Sequence, residues 1–313
     1  MKARAVLLTG VTGFIGSHLL TALIENGSTV CAVVRKQSNT WRIAPPLGHP
    51  LVKVYSDEIG DLRRAFTEQT IDCVLHLATK YIKHHTTTAE EQEMIAANVT
   101  FPTTILDLMR EYSVRHIVTT GTFFEYDLAG RATLTESSPE KPYNFYARTK
   151  LLFDNVVKEY VKKYEFSAVH LRLFAPYGPK DNEKLIPFLI KSFLKKQPVH
   201  LTPAEQQWNF TYVGDIVEAY LSAMEFCCGL NGGYEMFNIG ATRAVSVKTV
   251  VEILERILAT PGMVSYDKPY PPDEIFYANC DGKKAERLLG WKAQTDIETG
   301  LKKVVEYYRE QQK

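Results

Sequence analysis

The sequence has no apolar run of the roughly 18 uninterrupted residues that a membrane span needs. Its apolar start is also too short for a signal peptide. Cysteine is scarce, and the five that occur form no CxxC pair and no Cys/His cluster with metal-ligand spacing: Cys31, Cys73, Cys227, Cys228 and Cys280. We therefore expect a cytoplasmic protein with buried reduced thiols, no metal site and no membrane association.

A strong charge of either sign is also missing. Lysine and arginine together number 37 and aspartate and glutamate 36, which leaves a formal net charge of +1. This near-neutral balance gives no electrostatic reason to expect nucleic acid or an anionic membrane as partner. With 45% hydrophobic and 23% charged residues among 313, the chain has the composition of a globular protein long enough for two lobes.

Short apolar runs and amphipathic segments alternate in the first half of the chain. The runs are apolar throughout, which is typical of strands covered on both faces, and they span 5–9, 29–34, 52–55, 73–78, 116–120 and 168–173. The amphipathic segments predict helices at 14–25, 57–69, 89–112 and 143–164. This βαβα order predicts an α/β fold with a doubly wound parallel sheet.

A glycine-rich turn follows the first predicted strand. The segment 9–16, TGVTGFIG, has the spacing GxxGxxG between that strand and a helix. Gly10 permits a tight turn, Gly13 lets the backbone approach a pyrophosphate, and Gly16 lets helix and strand pack closely. The helix N-terminus offers its N–H groups and positive dipole end to the phosphates. The turn therefore predicts a dinucleotide site on a Rossmann-type sheet.

The pattern changes after Phe174, where Pro176, Gly178 and Pro179 interrupt it. We predict a dinucleotide-binding lobe formed by residues 1–174 and 213–240. Residues 175–212 and 241–313 are predicted to form a smaller C-terminal α/β lobe that binds the substrate.

The residues after the second strand indicate which dinucleotide is bound. NAD sites usually have a carboxylate there, which accepts hydrogen bonds from the adenosine ribose. This chain has Arg35 and Lys36 instead. Arg35 would hold a 2′-phosphate through paired charged hydrogen bonds, and Lys36 would add a point charge. We therefore predict NADP(H); the alternative is that both residues are solvated loop cations.

The segment from Tyr146 to Lys150 is the only YxxxK in a chain with 17 tyrosines. At helical spacing the two side chains lie one turn apart on the same face. The unperturbed tyrosine pKa of about 10 is too high for efficient proton exchange at neutral pH. A neighbouring ammonium, and oxidised nicotinamide when present, favour the phenolate and would lower the pKa of Tyr146.

With these motifs the sequence resembles the extended short-chain dehydrogenases/reductases, the NAD-dependent epimerase/dehydratase family, over essentially its whole length. Segment 9–19 is similar to the family's TGxTGFIGxxL, and 75–78 to its HLAA segment. Further along, 172–179 resembles RxFNxYGP, 210–215 resembles DFxYVDD, and 289–291 is the closing LGW.

The resemblance implies roles for individual residues. Thr120 would hydrogen-bond the reacting sugar oxygen, Tyr146 would exchange a proton, and Lys150 would tune Tyr146 and bind the nicotinamide ribose. Together with the arguments above, it places the cofactor against Gly10, Thr12, Gly13, Phe14, Ile15, Gly16, Arg35, Lys36, Asp57, Glu58, Leu77, Ala78, Thr79, Asn98, Tyr146, Lys150 and Phe174. The substrate would contact Thr120, Thr122, Tyr146, Ala175 and Trp208.

Departures from the family pattern narrow the reaction. Family 4,6-dehydratases have Asp-Glu directly after the active-site threonine, whereas Thr120 is followed by Gly121 and Thr122. A site for the phosphorylated cofactor favours net reduction over epimerisation, which must retain NAD. Segments 121–124, 173–182 and 201–207 resemble sugar 4-ketoreductases of the CDP-abequose/CDP-paratose synthase kind.

We therefore predict an NADPH-dependent enzyme that reduces the 4-keto group of a nucleotide-activated 4-keto-6-deoxyhexose. The alternatives are an NDP-sugar 4-epimerase with retained NAD, a reductase of a non-nucleotide carbonyl compound, and a non-catalytic NADP(H)-binding sensor. The resemblance also implies a homodimer paired through the helices at 89–112 and 143–164.

Two departures concern the substrate side. The family Asn of RxFNxYGP is Ala175, and the Arg that usually holds the sugar-nucleotide pyrophosphate is Trp208. Trp208 would either stack on a base or sugar face or pack in the core. The candidates to replace the missing positive charge are Lys180, Lys184, Lys191 and Lys268.

Overall fold

A computed structural model describes residues 2–130 and 133–311 of the chain. The chain forms two compact units. Unit 1 consists of Met1–Asp127, Pro139–Arg172 and Val217–Phe237. Unit 2 consists of Leu128–Ser138, Leu173–Ile216 and Asn238–Lys313.

The chain forms fifteen strands and eleven α-helices within the described residues, numbered here in chain order. The strands are β1 (Ala5–Thr9), β2 (Thr29–Val33), β3 (Val52–Tyr55), β4 (Cys73–His76), β5 (His116–Thr122), β6 (Thr133–Leu134), β7 (Ser167–Leu173), β8 (Pro176–Tyr177), β9 (Val199–His200), β10 (Gln207–Trp208), β11 (Thr211–Tyr212), β12 (Gly233–Ile239), β13 (Val245–Ser246), β14 (Val264–Ser265) and β15 (Tyr277–Cys280). The helices are α1 (Phe14–Glu25), α2 (Ala44–Leu47), α3 (Ile59–Glu68), α4 (Thr88–Ile95), α5 (Phe101–Glu111), α6 (Phe145–Tyr164), α7 (Leu185–Leu194), α8 (Val213–Cys228), α9 (Val247–Leu258), α10 (Lys283–Leu289) and α11 (Ile297–Glu310). A π-turn, Ala96–Thr100, joins α4 to α5, and a 3-10 turn, Phe123–Glu125, follows β5.

Unit 1 is built on a sheet with the strand order β12-β7-β5-β4-β1-β2-β3. The pairs from β3 to β5 along this order are parallel, and Thr9 lies opposite both Val33 and His76, which in turn lies opposite Thr119. The carboxyl ends of these strands therefore reach the same edge of the sheet. The strand order reverses direction between β1 and β4, which is where open α/β sheets bind their ligands. The predicted Rossmann-type fold is confirmed.

Burial explains why the strands are apolar throughout. Leu7, Val74 and Ile117 of the central strands are at most 1% exposed and share one apolar core with Ile105 of α5 and Phe153 of α6. These central strands are covered by helices and have no face on which polar residues would be favourable, whereas the edge strand β3 leaves Lys53 and Val54 exposed. The helix predicted at 89–112 forms as α4 and α5, with the π-turn between them.

Unit 2 has a core of its own, to which α7, α9 and α11 contribute the fully buried Leu189, Leu254 and Leu301. It also contains a four-stranded sheet with the order β13-β10-β15-β6. Because β6 pairs in parallel with β15, the segment Leu128–Ser138 belongs to this unit. The lobe boundaries predicted from sequence placed that segment in the first lobe, since a two-residue strand leaves no periodic signal.

Among the described residues, no helix combines the length and the apolarity that crossing a bilayer requires. Over the same residues, no group of three or more His, Cys, Asp or Glu side chains is arranged to hold a metal ion. The five cysteines are free thiols, of which Cys228 is partly exposed and the other four are buried.

Candidate active site

Close backbone contacts require glycine at two positions of the turn after β1. Gly10 has a φ of +72°, and a Cβ on it would lie 2.6 Å from the Ala78 nitrogen. A Cβ on Gly16 would lie 2.2 Å from the Gly10 carbonyl oxygen, which also accepts a hydrogen bond from the Gly13 N–H at 2.9 Å. The turn therefore packs directly against the end of β4.

The start of α1 fits the phosphate site that the sequence predicts. The helix begins at Phe14 with Gly13 as its N-cap, and no side chain of the described residues caps it. A Cβ on Gly13 would meet only the Gly10 carbonyl oxygen, at 3.1 Å. A helix N-terminus of this kind suits a phosphate, because first-turn N–H groups have no intrahelical partners and the helix dipole is positive there.

A threonine ties β1 to β4 behind this turn. Thr9 Oγ1 accepts from the N–H groups of Leu77 and Ala78, both at 3.2 Å, and lies 2.9 Å from His76 Nδ1. Because the oxygen accepts two hydrogen bonds, the Thr9 hydroxyl donates its own hydrogen bond to Nδ1. His76 then carries its ring proton on Nε2. Burial and the charge of Lys150 lower the pKa of His76 to about 3, so the ring is neutral. These contacts give His76 a structural role.

The cations at the end of β2 are arranged differently from the sequence prediction. Arg35 and Lys36 are both exposed, as in the alternative of solvated loop cations, and Lys36 Nζ lies 2.5 Å from a carboxylate oxygen of Glu58. Arg42, which the sequence analysis missed, donates to the Thr12 carbonyl oxygen of the glycine-rich turn at 3.5 Å. Its guanidinium lies 4.6 Å from the ring centroid of its neighbour Trp41, whose side chain is exposed.

Asn98, which is 1% exposed, joins two parts of the predicted site. Its Oδ1 accepts from the Lys80 N–H at 2.7 Å and the Thr79 hydroxyl at 3.0 Å. Its Nδ2 donates to the Lys80 carbonyl and the Thr149 hydroxyl, both at 2.9 Å, and Thr149 donates to the Tyr146 carbonyl at 2.7 Å. Asn98 lies in the π-turn, a feature that is frequent at functional sites.

Tyr146 and Lys150 lie one turn apart near the start of α6. Both side chains are buried, with exposed fractions of 9% and 2%. Asn144 starts the helix, since its side chain accepts from the Ala147 N–H at 3.0 Å. The ring of Tyr81 packs edge-on against Tyr146 at a centroid distance of 4.8 Å. The structure thus brings the YxxxK pair, Asn98 and the end of β4 together, although they are far apart in sequence.

The electrostatics of this pair differ from the sequence expectation. We expected Lys150 to lower the pKa of Tyr146, but burial raises it, and the charge of Glu125 raises it further against a contact with the Thr79 hydroxyl. Burial also lowers the pKa of Lys150 to about 8, opposed by the charges of Glu125 and Asp154. Burial therefore dominates the electrostatics of both groups, and it favours the phenol form of Tyr146.

Thr120 and Thr122 occupy different environments at the end of β5. The Thr120 hydroxyl donates to the His76 carbonyl at 2.9 Å and lies 2.6 Å from the Tyr220 hydroxyl. Thr122 Oγ1 accepts from the Phe124 N–H at 3.3 Å, and within the described residues its hydroxyl proton has no acceptor. This pattern leaves Thr122, rather than Thr120, with a proton to donate to a ligand.

A model of the NAD dependent epimerase/dehydratase family matches residues 6–240. The chain belongs to this family. The family and the class of NAD(P)-dependent short-chain dehydrogenase/reductase enzymes that we predicted from sequence are therefore confirmed.

Individual relatives are similar to the chain over nearly its whole length. A CDP-abequose synthase from Salmonella muenchen is 28% identical and covers 96% of this chain and 97% of its own length. A putative UDP-glucose 4-epimerase from Methanocaldococcus jannaschii is 29% identical, with 97% and 98% covered. Among solved structures, UDP-glucose 4-epimerase from Thermotoga maritima, in a crystal with UDP-glucose, has a TM-score of 0.86 at 25% identity, with 99% of this chain and 100% of that chain covered.

For this member of the epimerase/dehydratase family, three predicted ligand residues belong to unit 2. Phe174 is buried, and Ala175 has a φ of +28°. Trp208 donates from its indole nitrogen to the Ile275 carbonyl at 2.7 Å, and its ring lies 6.2 Å from that of Phe210. Trp208 thus packs against the core of unit 2, which supports the packing alternative for this residue.

Two of the lysines suggested as substitutes for the family's arginine lie close to carboxylates. Lys184 Nζ lies 3.4 Å from Asp181, and Lys191 forms an ion pair with Glu183. The assignment of a pyrophosphate partner among the four lysines stays a prediction.

Proposed function

We propose that this chain is an NADPH-dependent reductase of the 4-keto group of a nucleotide-activated 4-keto-6-deoxyhexose. The observation that carries the proposal is the buried Tyr146, whose pKa is raised by burial, with the buried Lys150 one turn away on the same helix. A phenol held in its protonated form suits the delivery of a proton to a carbonyl oxygen. Phe123 and Phe124 follow Thr122, so the Asp-Glu pair needed for dehydration is not at this position either.

The glycine-rich turn and the start of α1 would hold the pyrophosphate of the cofactor. Arg35, Lys36 and Arg42 would hold the 2′-phosphate that distinguishes NADPH from NADH, because a phosphate binds best to several charged donors. Asp57 and Glu58 would lie next to the adenosine, and Leu77, Ala78 and Thr79 would border the cofactor. When bound, the nicotinamide supplies the hydride for the reduction.

The protein's part in the reaction is orientation and proton delivery. Thr122 donates a hydrogen bond to the ketone oxygen of the substrate and orients it towards Tyr146. Tyr146 transfers its phenolic proton to that oxygen, which completes the alcohol. The Lys150 ammonium stabilises the phenolate that forms, and Asn98 keeps the first turn of α6 in place through Thr149.

The nature of the substrate is supported by the similarity to CDP-abequose synthase over almost the whole chain. A second candidate is a UDP-sugar 4-epimerase, which is favoured by the similarity to two such enzymes. The two differ in cofactor behaviour. An epimerase must retain NAD and return the hydride, whereas a reductase releases NADP after each turnover.

The deciding experiment follows absorbance at 340 nm with purified protein, NADPH or NADH, and CDP-, dTDP- and GDP-4-keto-6-deoxyhexoses in turn. We expect NADPH consumption with one of the three, and little with NADH. If NADPH binds but none is consumed, the reductase assignment is wrong. Tightly bound NAD released from the purified protein by denaturation would then support the epimerase.

We also propose that the enzyme is a homodimer paired through α4, α5 and α6. Ile95 and Leu152 support this assembly, because both are large apolar side chains on these helices with 39% and 50% of their surface exposed. Sedimentation equilibrium should give about twice the chain mass of 35.5 kDa. L152E should shift that mass towards the monomer. A wild-type protein that itself sediments as a monomer would disprove the assembly.

A further inference from the structure

An exposed tryptophan lies close in sequence to the cations that follow β2. Trp41 is 47% exposed, whereas Trp291 is only 5% exposed. Trp208 and Trp291 both donate their indole N–H to backbone carbonyl groups of unit 2. A large apolar ring left in water forgoes the free energy of burial, about 25 cal/mol for each Å². Core packing therefore does not account for the position of Trp41.

Local contacts hold the backbone on both sides of Trp41. The Trp41 N–H donates to the side-chain oxygen of Asn39 at 3.1 Å, and the Ile43 N–H donates to the Thr40 carbonyl at 2.9 Å. Ile43 is completely buried and directly precedes α2, so its side chain anchors the segment. Trp41 and Arg42 therefore lie on a backbone that is fixed by turns and by a buried side chain.

The ring of Trp41 contacts the guanidinium of Arg42. The guanidinium carbon lies over the ring at 4.6 Å from its centroid, which is within the range of a cation–π contact. Such a contact uses the face of the guanidinium, whereas its N–H donors point outward in its plane. One of these donors makes a long hydrogen bond of 3.5 Å to the Thr12 carbonyl oxygen of the glycine-rich turn. Two contacts therefore hold the Arg42 head group beside this turn.

Lys36, a cation that the sequence analysis assigned to the same phosphate, is held less firmly. Its side chain is 74% exposed, and its ammonium pairs with the Glu58 carboxylate, which is 63% exposed. Water and this carboxylate both compete with a phosphate for the ammonium. A planar guanidinium that is already held in place loses less freedom on binding and can donate to two phosphate oxygens at once. Arg42 is therefore better suited than Lys36 to distinguish a phosphate from a hydroxyl group.

We propose that Trp41 is a positioning residue for the 2′-phosphate of the cofactor: its ring holds the Arg42 guanidinium beside the glycine-rich turn, and the pair selects NADPH over NADH. This inference rests on the proposed function for the identity of the cofactor. It adds a residue that neither the glycine-rich turn nor the YxxxK pair contains. Because Trp41 acts through Arg42, its effect is confined to ligands that carry a 2′-phosphate.

The test is a calorimetric titration of NADPH and of NADH into wild type, W41L and W41F, with no sugar substrate present. W41L removes the aromatic face, so NADPH affinity should fall roughly three- to fivefold, the range of an exposed cation–π contact, while NADH affinity stays nearly constant. W41F keeps an aromatic ring and should recover part of the loss. An equal loss of both affinities in W41L would overturn the proposal, because Trp41 would then only support the turn.

A double-mutant cycle shows whether Trp41 acts through Arg42. The NADPH affinities of W41L, R42A and the variant with both substitutions are compared with that of wild type. Once the guanidinium is gone, the ring has nothing to position, so W41L should cause no further loss in the R42A background. Losses that add up would mean that the ring contacts the cofactor itself, and they would overturn the positioning role.

Tyr266 in unit 2 provides the matched control. It is 37% exposed, and the Lys248 ammonium lies over its ring at 5.6 Å from the centroid. Y266L therefore removes another exposed ring that contacts a cation, at a position outside the predicted cofactor residues, and should leave both affinities unchanged. Since both rings are exposed, neither W41L nor Y266L removes core packing. A loss of NADPH affinity in Y266L as large as in W41L would contradict the specific role of Trp41.

The same titrations separate this inference from the proposed function. A preference for NADPH in wild type that weakens in W41L supports the role of Trp41, even if no 4-keto sugar is reduced. A preference that is unchanged in W41L leaves the cofactor assignment in place and overturns the role of Trp41. If wild type does not prefer NADPH, both the cofactor assignment and the role of Trp41 are wrong.

Discussion

The two ends of the candidate site in unit 1 are built from different chemistry. At the turn after β1, the structure offers backbone N–H groups, and the nearby cations are exposed, as in the Lys36 pair with Glu58. At the end of β5, the polar groups are side chains that are almost completely buried, as in the pair of Glu125 with Arg172. The first end suits a highly charged ligand group, such as a phosphate, which needs cations and N–H donors around it. The second end suits a side chain whose protonation must be controlled.

This difference has an energetic consequence. Exposed ion pairs contribute little to stability because water screens them, whereas a buried pair that loses one partner leaves an unpaired charge in a medium of low polarity. At the turn after β1, where we propose that phosphate binds (the phosphate end), the stability of the fold should therefore tolerate changes of charge, and the turn should be sensitive to changes of backbone shape. The proton-transfer end should show the opposite sensitivity.

The largest effect is expected from Tyr146→Phe at the proton-transfer end. Loss of a general acid lowers kcat by about 10² to 10⁴-fold. NADPH binding, measured by fluorescence titration, should be nearly unchanged. Tyr160→Phe is the control, because Tyr160 lies on the same helix and donates to Asp107 at 2.8 Å on the surface. Full activity in Y146F would show that another group delivers the proton.

Arg172→Met should have the next largest effect, on stability. It leaves Glu125 buried without its cation, and the free energy of unfolding should fall by about 3 to 5 kcal/mol in urea titrations. Lys36→Met removes a cation from the exposed pair with Glu58 and should leave the urea midpoint almost unchanged. Equal destabilisation by both variants would contradict the distinction between the two ends.

Gly10→Ala tests the sensitivity of the phosphate end to shape. A Cβ at a φ of +72° and 2.6 Å from the Ala78 nitrogen must displace the turn, so NADPH affinity should fall roughly a hundredfold or more, which is about 2.7 kcal/mol. Gly60→Ala in α3 is the matched control, since a Cβ there meets nothing within 4 Å. That variant should bind NADPH normally and be slightly more stable.

The smallest effect is expected from Arg42→Ala. We expect NADPH affinity to fall about tenfold, with a much smaller change for NADH, because only NADPH has the 2′-phosphate. The NADPH affinities of Arg35→Ala and Lys36→Ala, measured in parallel by calorimetry, would show how much each of the three cations contributes to binding the 2′-phosphate. Equal loss of NADPH and NADH affinity in R42A would mean that Arg42 only supports the glycine-rich turn through Thr12.

The sequence was sufficient for features that depend on local order. The alternation of apolar runs and amphipathic segments predicted the sheet, because strand and helix periods are visible within a few residues. The GxxGxxG spacing predicted the turn, because Gly10 has a positive φ and Gly16 lies close to the Gly10 carbonyl, both within one short segment. The YxxxK spacing likewise placed Tyr146 and Lys150 on one helix face.

Sequence reasoning was incomplete where the contacts join distant segments. Arg42 reaches Thr12 across 30 residues, and Arg172 reaches Glu125 across 47. A Glu in a short turn and an Arg in a strand give no sign that they will meet. The same applies to Thr120, whose hydroxyl is engaged by Tyr220 from a helix 100 residues away.

By itself, then, the sequence determined the α/β architecture, the family, the glycine-rich turn and the spacing of Tyr146 and Lys150, since these follow from periodicity and short motifs. Only the tertiary structure decided the burial that raises the pKa of Tyr146, the different hydrogen bonds of Thr120 and Thr122 among the described residues, and the contact of Glu125 with Arg172. The physical reason is that burial and the field of distant charges control proton affinity, and both arise only when the chain has folded.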